Sequence, residues 1–186
     1  MRMRKRLRCA PSPRTCAAER RRVEATMERT ARPATVGDLK HLIKALNDER
    51  VEYLLVGAYA LFALGYQRAT TDIDLLVPQT AESGTRVKRA LLALPEKAAK
   101  DIEPSWFESD ETIRVADEFI VDILFNACGE TYASLQPHAV TIDLDGIPVR
   151  TLDLAGMLKT KQSAREKDRM DRFALERALA AQGQDK

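Results

Sequence analysis

The segment LLVGAYALFALGYQRATTDIDLLV, residues 54–77, decides how this chain is read. Its opening apolar run, LLV, stops at Gly57. A short apolar stretch, AYALFAL (58–64), then runs to Gly65, a residue suited to the left-handed position that closes a helix. The segment ends in TDIDLLV (71–77), an alternating strand pattern closed by Pro78. The expected order is strand, glycine turn, helix, strand. The anomaly is a pair of aspartates, Asp72 and Asp74, inside the last apolar strand.

Side chains alternate faces along a strand, so Asp72 and Asp74 share one face about 6.6–6.8 Å apart, and Ile73 and Leu75 face the core. Like charges held that close repel unless something positive sits between them. A divalent cation answers economically, because Mg²⁺ takes oxygen ligands and often binds only one or two carboxylates. The plainer alternative is two solvated aspartates on an edge strand. A second D-x-D, Asp143 and Asp145, is followed at once by Gly146 and belongs to turn chemistry, so it is assigned no catalytic role.

Context separates the first pair from the second. Gly57 ends a strand and opens a helix, an arrangement whose backbone N–H groups can cradle phosphate. A third acid, Asp122, lies within FIVDILF (119–125) with apolar neighbours on both sides. Alone it reads as a satisfied structural acid. Beside Asp72 and Asp74 on a neighbouring strand it becomes a third ligand or a base.

Working outward, Thr35 and Asp38 make an N-cap signal, and Leu39, Leu42, Ile43 and Leu46 recur at helical spacing to about Asn47. VEYLLV (51–56) reads as a strand. Val87, Ala90, Leu91 and Leu94 form a second helical stripe stopped by Pro95, and Trp106 and Phe107 are expected to pack in the irregular stretch beyond it. TIRV (112–115) and EFIVDILF (118–125) read as a hairpin, and TIDLDGIPV (141–149) as two short strands across an Asp-Gly turn. From Asp153 the pattern is helical to about Ala180, with a break near Ser163 to Glu166.

The expected fold is α/β (α+β): a small mixed β-sheet flanked by helices, with a C-terminal helical segment. The expected organisation is a disordered basic tail over 1–26, the main domain over 27–150 and the helical segment over 151–186. No internal repeat is visible.

The formal net charge of +2 conceals an asymmetry. Residues 1–22 carry nine bases and one acid, about +8, which leaves the remainder at −6. Bulk charge therefore does not argue for nucleic acid. The tail reads as a solvated tail or a mis-assigned start with Met27 as the true first residue, as a nucleic-acid arm, or as a transit peptide; it lacks the apolar core of a secretory signal. No run is long and apolar enough to span a membrane. Three cysteines, Cys9, Cys16 and Cys128, have no metal-ligand spacing, and the expectation is a reduced, cytoplasmic chain.

VGAYALFALGYQRATTDIDLLV together with VDILF resembles the nucleotidyltransferase superfamily that includes DNA polymerase beta. It is similar in particular to small bacterial nucleotidyltransferases related to abortive-infection toxins of type IV toxin–antitoxin systems. Their pattern is a glycine turn, a helix, R-x-T-x-D-I-D-L and a single later aspartate. It falls on Gly57, Gly65, Arg68, Thr70, Asp72, Asp74 and Asp122, and the likeness covers residues 51 to about 125. In LDLAGMLKTKQSAREKDRMDRFALERAL the helical region of such proteins matches through Lys159, Arg165 and Asp168. Where the pattern often has Gly or Ser after the glycine, this chain has Ala58, which removes a hydroxyl and leaves the backbone N–H groups.

The resemblance implies a Mg²⁺-dependent enzyme that transfers NMP from an NTP to an acceptor hydroxyl and releases pyrophosphate. Asp72, Asp74 and Asp122 would be the catalytic and metal-binding acids. Gly57, Ala58, Arg68, Thr70, Lys159 and Arg165 would bind nucleotide. The acceptor is open among tRNA, a protein and a small molecule, and a cognate antitoxin is an implied partner. The alternative is a non-catalytic nucleotide-binding or antitoxin-like interaction module on the same fold. A sugar-nucleotide glycosyltransferase using D-x-D fits less well, because too little chain precedes Asp72.

Other residues carry blander expectations. His41 reads as a surface residue and His138 as a loop residue, so a hydrolytic triad has little support. Cys128 reads as small and half-buried. Phe62 is expected in the core; Tyr59 and Tyr66 are open to either packing or base stacking.

Overall fold

The computed structural model describes residues 31–66 and 69–184. The basic tail over 1–26 therefore lies outside the described residues. The chain is a mixed α/β fold, a small mixed sheet flanked by helices and followed by a C-terminal helix.

Helix α1 (Val36–Asp48) begins as the sequence implies. Thr35 Oγ1 accepts from the Asp38 N–H and the Asp38 carboxylate accepts from the Thr35 N–H, a reciprocal capping box. Its apolar stripe, Leu39, Leu42, Ile43 and Leu46, is fully buried. Each such side chain contributes on the order of 2 kcal/mol. Strand β1 (Leu54–Val56) is shorter than the expected 51–56; Val51 and Tyr53 are buried ahead of it but outside the ladder. Helix α2 (Gly57–Ala63) follows directly, and then β2 (Asp72–Leu76) and α3 (Ala81–Leu91).

Residues 95–110 form two 3-10 turns, Ala98–Asp101 and Pro104–Glu108. They bury Phe107 edge-on against Phe125 and leave Trp106 half-buried. The hairpin β3 (Ile113–Ala116) and β4 (Ile120–Leu124) completes a sheet of order β1-β2-β4-β3. The inner pair β2/β4 is parallel, and both outer pairs are antiparallel.

A short helix α4 (Tyr132–Leu135) leads to the ribbon β5 (Ala139–Leu144) and β6 (Ile147–Leu152), closed by Asp145 and Gly146 at positive φ. The Asp143 carboxylate accepts from the Gly146 N–H at 3.0 Å, so this D-x-D is turn chemistry, as read. Thr151 Oγ1 donates to the Leu55 carbonyl at 2.8 Å and ties the ribbon to β1. Helices α5 (Leu154–Lys159) and α6 (Glu166–Gln184) close the fold, separated by residues 160–165.

One hydrophobic cluster runs from Ala34 through Leu152, Leu154 and Met157 to Leu175. The boundary drawn at 150 thus falls inside β6 and does not separate two cores: C-terminal apolar residues complete the same interior. Two smaller expectations also change. Phe62 is an exposed aromatic rather than a core residue, and Cys128 is exposed, at φ +56, rather than half-buried. His41 is exposed as expected, whereas His138 is half-buried with Nδ1 3.2 Å from an Asp153 oxygen. No helix among the described residues is long and apolar enough to cross a membrane.

Candidate active site

Register builds the site. In the parallel pair β2/β4, Asp74 lies beside Asp122, and in β1/β2, Asp74 lies beside Val56, the residue before Gly57. Neighbours across a ladder point to the same face, so Asp72, Asp74 and Asp122 share one. The other face is core: Ile73, Leu75, Val121 and Ile123 are fully buried. The carboxylates and Gly57 line one cleft of about 710 Å³.

Gly57 sits at φ +71, and a β-carbon there would lie 2.0 Å from Asp74 Oδ2. Only glycine combines that left-handed backbone with so close an approach. The turn brings the start of α2 against Asp74, and Val56 supplies no side-chain cap to the helix. Ala58 is buried at 1% exposure and does not line the cleft.

Thr70 Oγ1 donates to Asp72 Oδ1 at 2.8 Å and so orients the first carboxylate. The expected nucleotide-binding Arg68 lies outside the described residues. Of the two C-terminal candidates, Arg165 lines the cleft and Lys159 does not: Lys159 ends α5 as an exposed side chain. Lys161, two residues on, takes the expected place. It is buried, 3.0 Å from Asp171 Oδ2 and 3.7 Å from Asp168 Oδ1, and it lines the cleft with Asp168. Arg172 donates to the carbonyls of Lys161 and Ser163 at 2.6 and 2.9 Å and pins the α5–α6 connection. Lys159 ends α5 and is exposed, and Lys161, in the connection beyond it, turns inward.

The residue that sequence reasoning missed is Arg114 on β3. It lies opposite Asp122 in the β3/β4 ladder. Its Nε and one terminal nitrogen donate to the two Asp122 oxygens at 2.8 and 2.7 Å, a bidentate grip, and that terminal nitrogen is 3.9 Å from Asp72 Oδ2. Asp122 has only 8% of its side chain exposed, so it needs such a partner. The signal was present in TIRV: a single arginine in an apolar edge strand. Without the register, nothing tied it to Asp122.

Two like charges on one face call for positive charge between them, and the guanidinium of Arg114 supplies part of it. Asp72 and Asp74 fit a hard divalent ion, being two carboxylates on one face with solvent access through the cleft. Asp122 does not offer its oxygens in the same way, because Arg114 engages both. Among the described residues no three acidic, imidazole or thiolate groups stand close enough together to enclose an ion. Of the three carboxylates expected as ligands, Asp122 is the one whose two oxygens Arg114 holds.

Compared with models of known protein families and with curated proteins, the sequence matches none.

Proposed function

We propose that this chain is a Mg²⁺-dependent nucleotidyltransferase that moves NMP from an NTP to an acceptor hydroxyl. The observation that carries the reading is one cleft wall: Asp72 and Asp74 on β2 and Asp122 on β4, beside a turn at Gly57 that admits no side chain. Charge supports it. Among the described residues the cleft is lined by four bases (Arg114, Lys161, Arg165, Lys167) and four acids (Asp72, Asp74, Asp122, Asp168). Those charges cancel, so a triphosphate needs further positive charge to reside there.

Asp72 and Asp74 would hold the ion, which when bound neutralises phosphate charge and the charge that develops on transfer. Thr70 fixes the Asp72 carboxylate for that task. Arg165 and Lys161 line the same cleft from the C-terminal segment, where they can take phosphate oxygens, and the Gly57 turn keeps the start of α2 against Asp74. The acceptor oxygen would attack the α-phosphorus as the bond to the bridging oxygen breaks, and pyrophosphate leaves. Asp122 stands where it can take the acceptor's proton if Arg114 releases it. The acceptor is a tRNA end, a protein hydroxyl or a small molecule, and a toxin role with a cognate antitoxin belongs to the same reading.

The second reading, a non-catalytic nucleotide-binding or antitoxin-like module, is favoured by one observation: Arg114 holds the third acid. Incubation with each labelled NTP, Mg²⁺ and cell extract separates the two. Label should enter a discrete acceptor with the wild-type chain and fall by orders of magnitude with Asp74→Asn. If no NTP transfers label but the chain still binds NTP, the enzyme reading fails and the module stands.

A further inference from the structure

We propose that Arg114 is a resident counter-cation that competes with the divalent ion for Asp122 and Asp72, so that metal binds weakly until the guanidinium is displaced. This rests on the metal-dependent reading above and deepens it by giving Arg114 a role toward the ion.

Three observations carry it. Arg114 reaches carboxylates on two different strands, with both oxygens of Asp122 held at 2.7 and 2.8 Å and Asp72 Oδ2 at 3.9 Å. One guanidinium therefore lies along the side of the acidic face that a cation bridging β2 and β4 would occupy. The grip is bidentate and charge-assisted, the strongest form such a pair takes, so an ion must compete with it. The two ends of the pair also differ in exposure: Asp122 is 8% exposed and Arg114 is 38% exposed. The carboxylate is fixed in the sheet, and the arginine has solvent and cleft volume into which it can withdraw.

A bound divalent ion beside an unmoved guanidinium would meet like charge at close range. Release of Arg114 relieves that repulsion and frees the Asp122 oxygens together. The occupant of the acidic face in the metal-free protein is then part of the chain itself. Arg114 is a positioning residue in this scheme, acting through the carboxylates it holds.

The test uses the full chain and Mn²⁺ as a spectroscopically visible divalent ion, without nucleotide, read by EPR titration and by thermal unfolding. Arg114→Gln should bind Mn²⁺ about tenfold more tightly than wild type, within the usual range for coupled sites. In EDTA it should melt below wild type, because Asp122 is left buried without its partner. Mn²⁺ should raise its midpoint more than it raises that of wild type. Arg114→Lys keeps the charge but loses the fork, so its affinity should lie between the two. It also stands in if Arg114→Gln does not fold. The double variant Arg114→Gln, Asp122→Asn should lose the gain. If wild type binds Mn²⁺ and Arg114→Gln and Arg114→Lys bind it equally or more weakly, Arg114 is a structural ion pair and the competition is refuted. If no form binds Mn²⁺ with or without NTP, the metal-dependent reading falls as well.

Discussion

Gly57 and Asp74 are in contact so close that the α2 turn has no room for a side chain: an added β-carbon would lie 2.0 Å from Asp74 Oδ2 and 2.8 Å from its Cγ. The turn and the second aspartate of D-x-D are therefore one structural unit, although 16 residues of chain separate them.

Gly57→Ala should expose that dependence. The φ of +71 disfavours any L side chain, and the methyl would force Asp74 from its place. The two effects together should cost about 1–3 kcal/mol, measured by urea unfolding. Nucleotide transfer should fall further than the stability loss explains, because Asp74 moves. Wild-type stability in Gly57→Ala would mean that the turn relaxes freely and that the close approach has no structural cost.

The two lysines of the C-terminal segment should behave oppositely. Lys161→Met removes the cation 3.0 Å from the buried Asp171, and losing one member of a buried pair costs about 3–5 kcal/mol. Transfer should fall with it, since Lys161 lines the cleft. Lys159→Ala changes an exposed side chain and should move stability by less than about 0.5 kcal/mol, with transfer unchanged. Thermal melts and labelled-NTP assays on both variants decide it. Loss of activity in Lys159→Ala alone would restore the residue that the sequence pattern suggested.

Asp38 should give the fold an acid-sensitive component. The hydrogen-bonded Arg32 guanidinium holds its carboxyl well below the ordinary value of 3.8, with further help from Thr35. A depressed folded value means the stabilisation is present above the unfolded value and lost as pH falls through the folded one. Arg32 is substantially exposed, so solvent screening keeps the pair's contribution small. Asp38→Asn should therefore lower the unfolding free energy near pH 7, and the deficit should shrink as pH falls from 3.8 through the lower folded value. Urea melts across that range check the sign: a penalty that persists at the lowest pH would assign it to the helix cap rather than to charge.

Local order in the sequence carried most of the fold. The capping pair Thr35/Asp38, the stripe from Leu39 to Leu46, the glycine stops and the Asp-Gly turn each act through near neighbours, so their consequences follow from spacing alone. Alternation likewise placed Asp72 and Asp74 on one face and Ile73 and Leu75 in the core. Tertiary structure decided what stands opposite them. The parallel register of β2 with β4 puts Asp122 beside Asp74, and the antiparallel register of β3 with β4 puts Arg114 on Asp122. The β2/β4 register joins residues 48 apart, which no local pattern encodes; Arg114 and Asp122 lie eight apart in a hairpin legible from sequence, and only its register sets them opposite one another. The same holds for Lys161 and Lys159: both lie in one basic run, and only the packing of α5 and α6 turns one inward and leaves the other in solvent. The sequence by itself determined which acids could meet; the fold decided that an arginine meets them too, because charge buried in a sheet must be neutralised by whatever the register brings alongside.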